Sequence, residues 1–302
     1  MIDPDAFLAV VNPAAGGGRC RKLVADALAR LRAGGIRLDV VETSGPGQGA
    51  RLARDGYSRG FRKFIAVGGD GTSYEIVNGL FPRRESDEPA TLAFLPLGTG
   101  NSFLREFTDR GVEHAIEAVL AARSQPCDVL RLRHTDGVLH YINLLAMGFA
   151  ADVATLRARR FSGWGELGYQ SSIFISLARF RRRPFPLSVN GEEKVDRRPC
   201  LFLTFNNSKF TGGTMMIAPK AEVNDGLIEY VRWGPIGRLG LIRNLPTLYD
   251  GTHIQHPMAE RREANRIDFH LDAPVDVMVD GEVLTLQCQT LDVLPSALKV
   301  VV

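Results

Sequence analysis

One short glycine-rich run constrains the fold and chemistry of this chain more than any other feature. Residues 68–71 read Gly-Gly-Asp-Gly, between a short apolar run at 64–67 and a helix-like stretch at 72–80. Glycine lacks a Cβ atom, so the backbone can turn sharply there and come close to a ligand. A strand, a glycine turn and a helix N-terminus together favour an anion, because backbone N–H groups and the helix dipole attract negative charge. We therefore expect a phosphate-binding turn at this position.

The first 124 residues alternate between strand-like and helix-like patterns. Apolar runs of about five residues separated by amphipathic helices indicate a parallel, doubly wound α/β sheet. The predicted strands are 7–11, 36–41, 64–67 and 91–95, and the predicted helices are 19–32, 48–59 and 72–80. Ligands of such sheets bind beyond the carboxyl ends of the strands. The glycine-rich loops at 12–18, 68–71 and 96–101 each follow a strand, so we expect them along one edge.

After Pro126 the pattern changes to short alternating strands, which are typical of an antiparallel β-sandwich. The predicted strands are 127–133, 139–145, 186–189, 200–205, 226–231, 266–271, 275–279 and 285–294, with helical patterns at 150–180 and 236–249. We predict an α/β domain at 1–124 and a β-rich domain at 125–302. Whether the C-terminal strand returns to the first domain is left open.

The composition argues against several classes of protein. A net charge of +3 is too small to indicate a nucleic-acid partner, since nucleic-acid-binding domains are usually much more basic. No apolar stretch approaches the about 18 residues of a membrane span, and the first residues lack the features of a secretory signal. The four dispersed cysteines form no Cys-x-x-Cys pair, which favours reduced structural thiols. We expect a cytoplasmic protein.

Two familiar phosphate-binding loops do not match. No Gly-Lys dipeptide occurs in the chain, so a Walker A loop is excluded. The glycine cluster at 16–18 has Arg21 where a dinucleotide fingerprint needs its third glycine. Three glycine loops after three strands of one sheet still favour a ligand over ordinary tight turns.

Five motifs occur in order along the chain. They are Asn12-Pro13, Gly-Gly-Asp-Gly-Thr at 68–72, Pro-Leu-Gly-Thr-Gly-Asn-Ser-Phe at 96–103, Ala218-Pro219 leading to Asp-Gly-Leu at 225–227, and Asp-Gly-Glu at 280–282. Together they resemble the catalytic domain shared by diacylglycerol kinases, sphingosine kinases and the bacterial soluble lipid kinases. The resemblance spans essentially the whole chain, whereas the Gly-Gly-Asp-Gly element alone is shared with NAD kinases and phosphofructokinases.

The resemblance implies a lipid kinase that binds ATP between a nucleotide-binding domain at 1–124 and a lipid-substrate domain at 125–302. The residues implied to contact the nucleotide are Asn12, Thr43, Gly68, Gly69, Gly71, Thr72, Ser73, Tyr74, Thr99 and Asn101. Asp70 is implied to act on the phosphates through Mg²⁺, which prefers one or two carboxylates plus phosphate oxygens. The family often has aspartate after the asparagine of the second loop, and this chain has Ser102 there instead.

By the same resemblance Glu282 is the general base. The reaction requires a base, because a lipid hydroxyl with a high pKa must lose its proton as it attacks the γ-phosphate. From the residues alone, Asp280-Gly281 is also a common hairpin turn with no catalytic role. The resemblance favours the catalytic interpretation.

Residues 222–227 resemble the family's second, structural Mg²⁺ site. Asp225 would supply a carboxylate, and Glu222 and Leu227 would supply backbone carbonyls. Oxygen ligands presented by a loop suit Mg²⁺ or Ca²⁺. A metal-free Asn-Asp-Gly turn is the alternative that the residues leave open.

Two patterns bear on the acceptor and its surroundings. One helical face carries apolar residues that either line an acyl-chain groove or pack on the sandwich: Ile236, Leu239, Ile242, Leu245 and Tyr249. Arginine and aromatic residues mix at 157–164 and at 179–185, as in membrane-surface segments or a solvated basic face. The second set comprises Arg157, Arg159, Arg160, Phe161, Trp164, Arg179, Arg181, Arg182, Arg183, Pro184 and Phe185.

The sequence therefore predicts a peripherally membrane-associated lipid kinase that uses ATP and Mg²⁺, with diacylglycerol as the favoured acceptor. Sphingoid-base or ceramide phosphorylation, NAD kinase activity, and a catalytically silent lipid-binding module are the alternatives. A homodimer through a sandwich edge is compatible with the pattern, and no nucleic-acid partner is expected.

Overall fold

The computed structural model describes residues 3–83, 87–160, 175–176 and 182–302. The chain divides into two compact units. The first comprises Met1–Val129 together with Pro295–Val302, and the second comprises Leu130–Leu294. The chain therefore leaves the first unit once and returns to it for its last residues.

The helices are α1 (Arg19–Ala33), α2 (Gln48–Arg59), α3 (Asp70–Leu80), α4 (Val112–Leu120), α5 (Phe149–Arg160), α6 (Arg238–Asn244) and α7 (Thr247–Asp250), with 3₁₀ turns at Leu104–Glu106 and Thr252–Gln255. The strands are β1 (Phe7–Val11), β2 (Leu38–Glu42), β3 (Lys63–Gly68), β4 (Thr91–Pro96), β5 (Ser124–His134), β6 (Gly137–Tyr141), β7 (Leu144–Gly148), β8 (Arg183–Pro184), β9 (Leu187–Val189), β10 (Pro199–Cys200), β11 (Phe202–Asn206), β12 (Phe210–Thr211), β13 (Met215–Met216), β14 (Ile228–Trp233), β15 (Ala259–Ala264), β16 (Arg266–Phe269), β17 (Val275–Val279), β18 (Glu282–Leu286) and β19 (Cys288–Val301).

The first unit is built on a parallel sheet, as its sequence pattern predicts. The strand order is β2-β1-β3-β4, and the end of β19 adds a further parallel strand beside β4. Strand β1 is buried at every position, which explains why it is apolar throughout rather than alternating. Val11 pairs with Glu42 on one side and with Val67 on the other, so these strands end level with one another. The loops that follow them consequently leave at one edge of the sheet.

The second unit contains an antiparallel six-stranded sheet, in the order β15-β14-β11-β7-β17-β18. Its apolar core includes Trp233, Phe202 and Leu241. Strands β9 and β19 flank β16 antiparallel, and β6 pairs antiparallel with β5. The predicted antiparallel architecture is therefore confirmed.

One predicted strand is two strands in the structure. The pattern at 139–145 predicts a single strand, whereas β6 ends at Tyr141 and β7 begins at Leu144. The backbone N–H groups of Ile142, Asn143 and Leu144 donate to the carboxylate of Asp280. Because a side chain from a distant hairpin takes these donors, the chain turns out of one strand and into the next.

The prediction of one continuous helical face at 236–249 is wrong. The helix is interrupted at Pro246, which has no N–H to donate, so α6 and α7 are separate. Ile236 is buried and Leu245 packs against the core, but Leu239, Ile242 and Tyr249 are exposed. The five apolar residues therefore divide between two environments.

In the part of the chain that the structure describes, no helix is long and apolar enough to cross a lipid bilayer. All four cysteines are buried and free of disulfide bonds, as the dispersed spacing predicts.

Candidate active site

Two glycine loops of the first unit are joined by backbone hydrogen bonds in both directions. The N–H of Gly98 donates to the carbonyl of Gly68 at 2.7 Å, and the N–H of Asp70 donates to the carbonyl of Gly100 at 2.9 Å. A Cβ atom on Gly98 would lie 2.8 Å from the backbone of Gly69, which real Cβ atoms do not tolerate. Glycine is therefore required where the two loops cross.

The glycine loop at 12–18 contacts the crossing of the other two loops. A Cβ atom on Gly16 would lie 2.9 Å from the carbonyl oxygen of Leu97, and Gly16 has a φ of +64° that favours glycine. The N–H of Asn12 donates to the carbonyl of Val67, and the side chain of Asn12 accepts from the N–H of Ala14. The three predicted loops thus meet at one edge of the sheet.

Asp70 is the acidic residue at the centre of this arrangement. It occupies the first turn of α3, and its carboxylate accepts hydrogen bonds from the N–H groups of Ser102 at 2.9 Å and Phe103 at 3.4 Å. Burial raises the pKa of the Asp70 carboxyl, and the hydrogen bonds from Ser102 and Phe103 oppose that rise. Ser102, where the family often has aspartate, therefore supports the charge of Asp70 instead of adding a second carboxylate beside it.

Thr72 has a buried side-chain hydroxyl at the start of α3. Its side chain is 4% exposed, and its Oγ1 has no hydrogen-bond partner among the described residues. An unsatisfied buried hydroxyl costs about 1–3 kcal/mol. Thr72 belongs to the Gly-Gly-Asp-Gly-Thr run at the start of α3, and its Oγ1 lies against Gly68, 2.2 Å from the place where a Cβ atom on that glycine would stand. A turn about its Cα–Cβ bond would let the hydroxyl donate to a phosphate oxygen at the helix N-terminus. This orphaned donor and the surrounding glycines fit a nucleotide phosphate.

The other predicted nucleotide contacts lie at or near this edge. The N–H of Thr43 donates to the carbonyl of Val11, beside Asn12. Ser73 donates through Oγ to the carbonyl of Asp70, and Asn101 donates through Nδ2 to the carbonyl of Gly98. Tyr74 and Gly71 are half-buried and Thr99 is exposed. Their contact with nucleotide stays a prediction.

A metal at Asp70 would depend on the nucleotide. The described residues bring together no group of three or more His, Cys, Asp or Glu side chains that could hold a metal ion. Mg²⁺ is commonly held by one or two carboxylates plus substrate phosphates, and Asp70 with a bound triphosphate fits that donor set.

The second predicted metal site is a turn in this structure. Asp225 and Glu222 are exposed, and the carboxylate of Asp225 accepts the N–H of Leu227 at 2.9 Å. An aspartate that bonds the N–H two residues on is an ordinary Asx-turn, and it forms without a metal. The metal role of Glu222, Asp225 and Leu227 stays a prediction.

Glu282, the predicted base, begins β18 directly after a two-residue hairpin turn. Asp280 and Gly281 have φ values of +48° and +90°, which is the backbone of a type I′ turn, and Val279 pairs with Glu282 across it. The side chain of Glu282 is exposed. An exposed carboxylate at the start of a strand is a group of the kind that can accept a proton from a substrate hydroxyl.

Asp280 fixes this hairpin in the second unit. Its side chain is 3% exposed and accepts from the N–H groups of Ile142 at 3.0 Å, Asn143 at 3.0 Å and Leu144 at 2.9 Å. The N–H of Asp280 donates back to the carbonyl of Leu144. Burial, followed by the charge of Asp280, raises the pKa of Tyr141 well above its usual value. An aspartate with three amide donors holds its backbone, and Glu282 with it, in place.

A further buried polar cluster supports the same segment, and the motif analysis missed it. The hydroxyl of Ser208 donates to the side-chain oxygen of Asn143 at 2.6 Å, and Asn207 donates through Nδ2 to the carbonyl of Ile142 at 2.8 Å. Ser208 and Asn207 are fully buried. These residues lie 65 positions from their partners, and no local spacing predicts such a contact.

Comparisons with known proteins match both parts of the chain to described families. Residues 6–132 match the family model described as diacylglycerol kinase catalytic domain, and residues 143–302 match the YegS C-terminal NAD kinase beta sandwich-like domain. A diacylglycerol kinase of Mycobacterium tuberculosis (strain ATCC 25618 / H37Rv) is 28% identical over 299 residues, covering 97% of this chain and 93% of that protein. The probable lipid kinase YegS of Escherichia coli O9:H4 (strain HS) is 28% identical over 279 residues, covering 91% and 89%.

The fold has solved counterparts. The crystal structure of a putative diacylglycerol kinase from Bacillus anthracis str. Sterne aligns with a TM-score of 0.78 at 20% identity, covering 100% of this chain and 96% of that one. At that identity the likeness shows the fold alone.

Proposed function

Since this chain belongs to the family of diacylglycerol kinases and YegS-like lipid kinases, and is therefore a lipid kinase, we propose that it transfers the γ-phosphate of ATP to the hydroxyl of diacylglycerol. The acceptor is supported by relatives from Mycobacterium tuberculosis and from Bacillus subtilis (strain 168), both named diacylglycerol kinase. The single structural observation that carries the kinase chemistry is the glycine edge with the orphaned hydroxyl of Thr72.

The first unit supplies the phosphate-binding part of this mechanism. The glycine loops let backbone N–H groups approach the triphosphate, and Thr72 donates to a phosphate oxygen. Mg²⁺, when bound, neutralises charge that develops on the phosphates, and Asp70 would hold it. Phosphoryl transfer depends mostly on positioning and electrostatic stabilisation, which a rigid pair of crossed loops supplies.

The second unit supplies the base. The carboxylate of Glu282 takes the proton of the lipid hydroxyl as its oxygen forms a bond to the γ-phosphorus, and the bond from that phosphorus to ADP breaks. Asp280 does not touch the substrate in this scheme. It holds the hairpin that carries Glu282.

The test is transfer of ³²P from ATP to lipids in mixed micelles with Mg²⁺ present. The acceptors are diacylglycerol, sphingosine and ceramide, and NAD⁺ serves as a soluble control. We expect label in diacylglycerol. Label in sphingosine or ceramide would show that this lipid, rather than diacylglycerol, is the acceptor. Label only in NAD⁺ would favour an NAD kinase. ATP binding without any transfer would favour a silent lipid-binding module.

Glu282→Gln tests the base in the same assay. The substitution removes the proton acceptor and keeps the shape, so turnover should fall by about 10²–10⁴-fold while nucleotide still binds. Glu193→Gln, at another exposed turn of the second unit, is the matched control and should leave turnover unchanged. Equal turnover of the two variants would show that Glu282 is not the general base.

A lipid acceptor implies action at a membrane surface, and we include peripheral membrane association in the proposal. The basic and aromatic segments that first suggested it are only partly described. Phe161, Trp164, Arg179 and Arg181 lie outside the described residues. The cytoplasmic location and the homodimer stay predictions.

A further inference from the structure

Helix α6 presents apolar side chains to solvent. Leu239 is 83% exposed and Ile242 is 52% exposed, and residues three apart share one side of a helix. The opposite side of α6 is anchored, because Leu241 is 2% exposed and packs in the core with Trp233. The helix is therefore fixed, and the residues that the structure describes leave one of its apolar sides uncovered.

Arginines surround these apolar side chains. Arg238 and Arg243 are exposed on α6 itself. A guanidinium nitrogen of Arg182 lies 3.5 Å from the place where a Cβ atom on Gly237 would stand, and Arg182, Arg238 and Leu239 line one shallow depression. Residues 230–249 contain no aspartate or glutamate. The surface formed by Arg182, Arg238, Leu239, Ile242 and Arg243, hereafter the α6 surface, is both apolar and positively charged.

We propose that the α6 surface docks on an anionic phospholipid bilayer, which gives the proposed lipid kinase access to its membrane acceptor and rests on that proposed function. Apolar side chains flanked by arginine are the pattern of helices that lie in a membrane interface. Leu239 and Ile242 enter the boundary between headgroups and acyl chains. The three arginines contact lipid phosphates at the level of the headgroups.

The positive charge of the α6 surface favours an anionic bilayer over a second copy of this chain as its partner. A symmetric contact between two α6 surfaces would bring the arginines of both copies together, because the same patch is used on each side of a two-fold interface. Like charges at such a contact repel. An anionic bilayer satisfies the apolar side chains and the arginines at once.

The test measures binding of the full-length protein to sucrose-loaded vesicles by sedimentation, without ATP. One set of vesicles contains phosphatidylcholine alone, and the other contains phosphatidylcholine mixed with phosphatidylglycerol. The wild type should partition to the mixed vesicles more strongly, and added salt should reduce that partition, because screening weakens attraction to the charged surface. Equal partition to both sets would overturn the proposal.

The double variant Leu239→Ser/Ile242→Ser should lower the partition to mixed vesicles by about tenfold or more. Arg243→Gln and Arg182→Gln should each lower it by about fivefold, the effect of one basic residue near an anionic leaflet. The matched controls are Val138→Ser, which is 50% exposed in the second unit, and the exposed Arg197→Gln. Unchanged partition of the α6 variants, or an equal loss in the controls, would overturn the proposal.

Two further measurements separate this inference from the proposed function. Turnover of a short-chain, water-soluble diacylglycerol without vesicles should be equal in the wild type and the α6 variants. If neither turns over while the partition results are as expected, the proposed acceptor fails and the docking surface stands. If the double variant turns a dimer into a monomer in sedimentation velocity and keeps its vesicle partition, the α6 surface is an interface between copies and the bilayer proposal is overturned.

Discussion

Asp70 is a carboxylate whose surroundings disfavour its charged form. Burial raises its pKa, and two backbone N–H groups from the neighbouring loop oppose the rise without cancelling it. The folded protein therefore binds a proton at Asp70 more tightly than the unfolded chain does. Such strain is typical of residues placed for interaction with a charged ligand.

This linkage predicts the pH dependence of stability. In Asp70→Asn no proton is bound at that position, so the difference in unfolding free energy, wild type minus variant, should increase as pH falls. The increase should occur between the raised folded pKa and the ordinary value of 3.8, because proton uptake in that window favours the folded state. Urea unfolding at a series of pH values measures it. Asp55→Asn, at an exposed position of α2, is the control, and a difference that stays flat or decreases would contradict the assignment.

Removing the Thr72 hydroxyl should stabilise the protein without ligand and reduce its stabilisation by nucleotide. Thr72→Val keeps the shape and removes the orphaned hydroxyl, so the unfolding free energy without ligand should rise by about 1 kcal/mol. A ligand stabilises a protein according to its concentration relative to its dissociation constant, so the stabilisation by Mg²⁺-ATP should fall in the variant. Urea unfolding with and without nucleotide measures both effects.

Thr285→Val is the matched control for this prediction. The hydroxyl of Thr285 donates to Asp276, so its removal should not stabilise the protein or change the response to nucleotide. A Thr72→Val variant that loses stability without nucleotide, or responds to nucleotide as the wild type does, would show that the hydroxyl does not serve a phosphate.

At the scale of elements, the break between β6 and β7 contributes both to the stability of the fold and to the position of the Glu282 hairpin. The N–H groups at that break bind Asp280, and the side chain of Asn143 within it accepts from Ser208. Ser208→Ala leaves a buried amide oxygen without its donor, so the unfolding free energy should fall by about 1–3 kcal/mol. If the cluster positions the hairpin of Glu282, kcat should fall while the affinity for nucleotide is unchanged.

Ser58→Ala, at an exposed position of α2, is the control and should change neither quantity. Equilibrium unfolding, steady-state kinetics and nucleotide titration supply the three readouts. Lower stability with unchanged kcat would assign the cluster to folding alone.

Local pattern predicted some of these elements to the residue. The bounds of β1, α2 and β17 agree with the pattern because each is an apolar or amphipathic run that ends at a clear turn or helix-stop signal. The pattern at 139–145 failed because the carboxylate that divides it lies 136 to 138 positions away in the chain. The glycine edge was predictable because strand order alone brings its loops together, whereas the Ser208–Asn143 contact depends on sheet register, which the sequence does not reveal.

At the scale of the whole molecule, the last residues of the chain complete the first unit. Lys299–Val301 of β19 pair parallel with Thr91–Ala93 of β4, and the N–H of Ser296 donates to the buried carboxylate of Asp128 at 2.6 Å. Leu298 is fully buried. The parallel sheet that carries the glycine edge therefore lacks a strand until residues 299–301 have been made.

This dependence predicts that a core substitution near the C-terminus destabilises the first unit. Leu298→Ala removes a fully buried side chain and should lower the unfolding free energy by about 2–5 kcal/mol. It should also weaken the binding of nucleotide, which the first unit is proposed to hold. Val138→Ala, at a half-exposed position of the second unit, is the control and should change the unfolding free energy by no more than about 0.5 kcal/mol. Urea unfolding with and without Mg²⁺-ATP measures both quantities, and a Leu298→Ala variant as stable as the control would show that the first unit holds its fold without the returning strand.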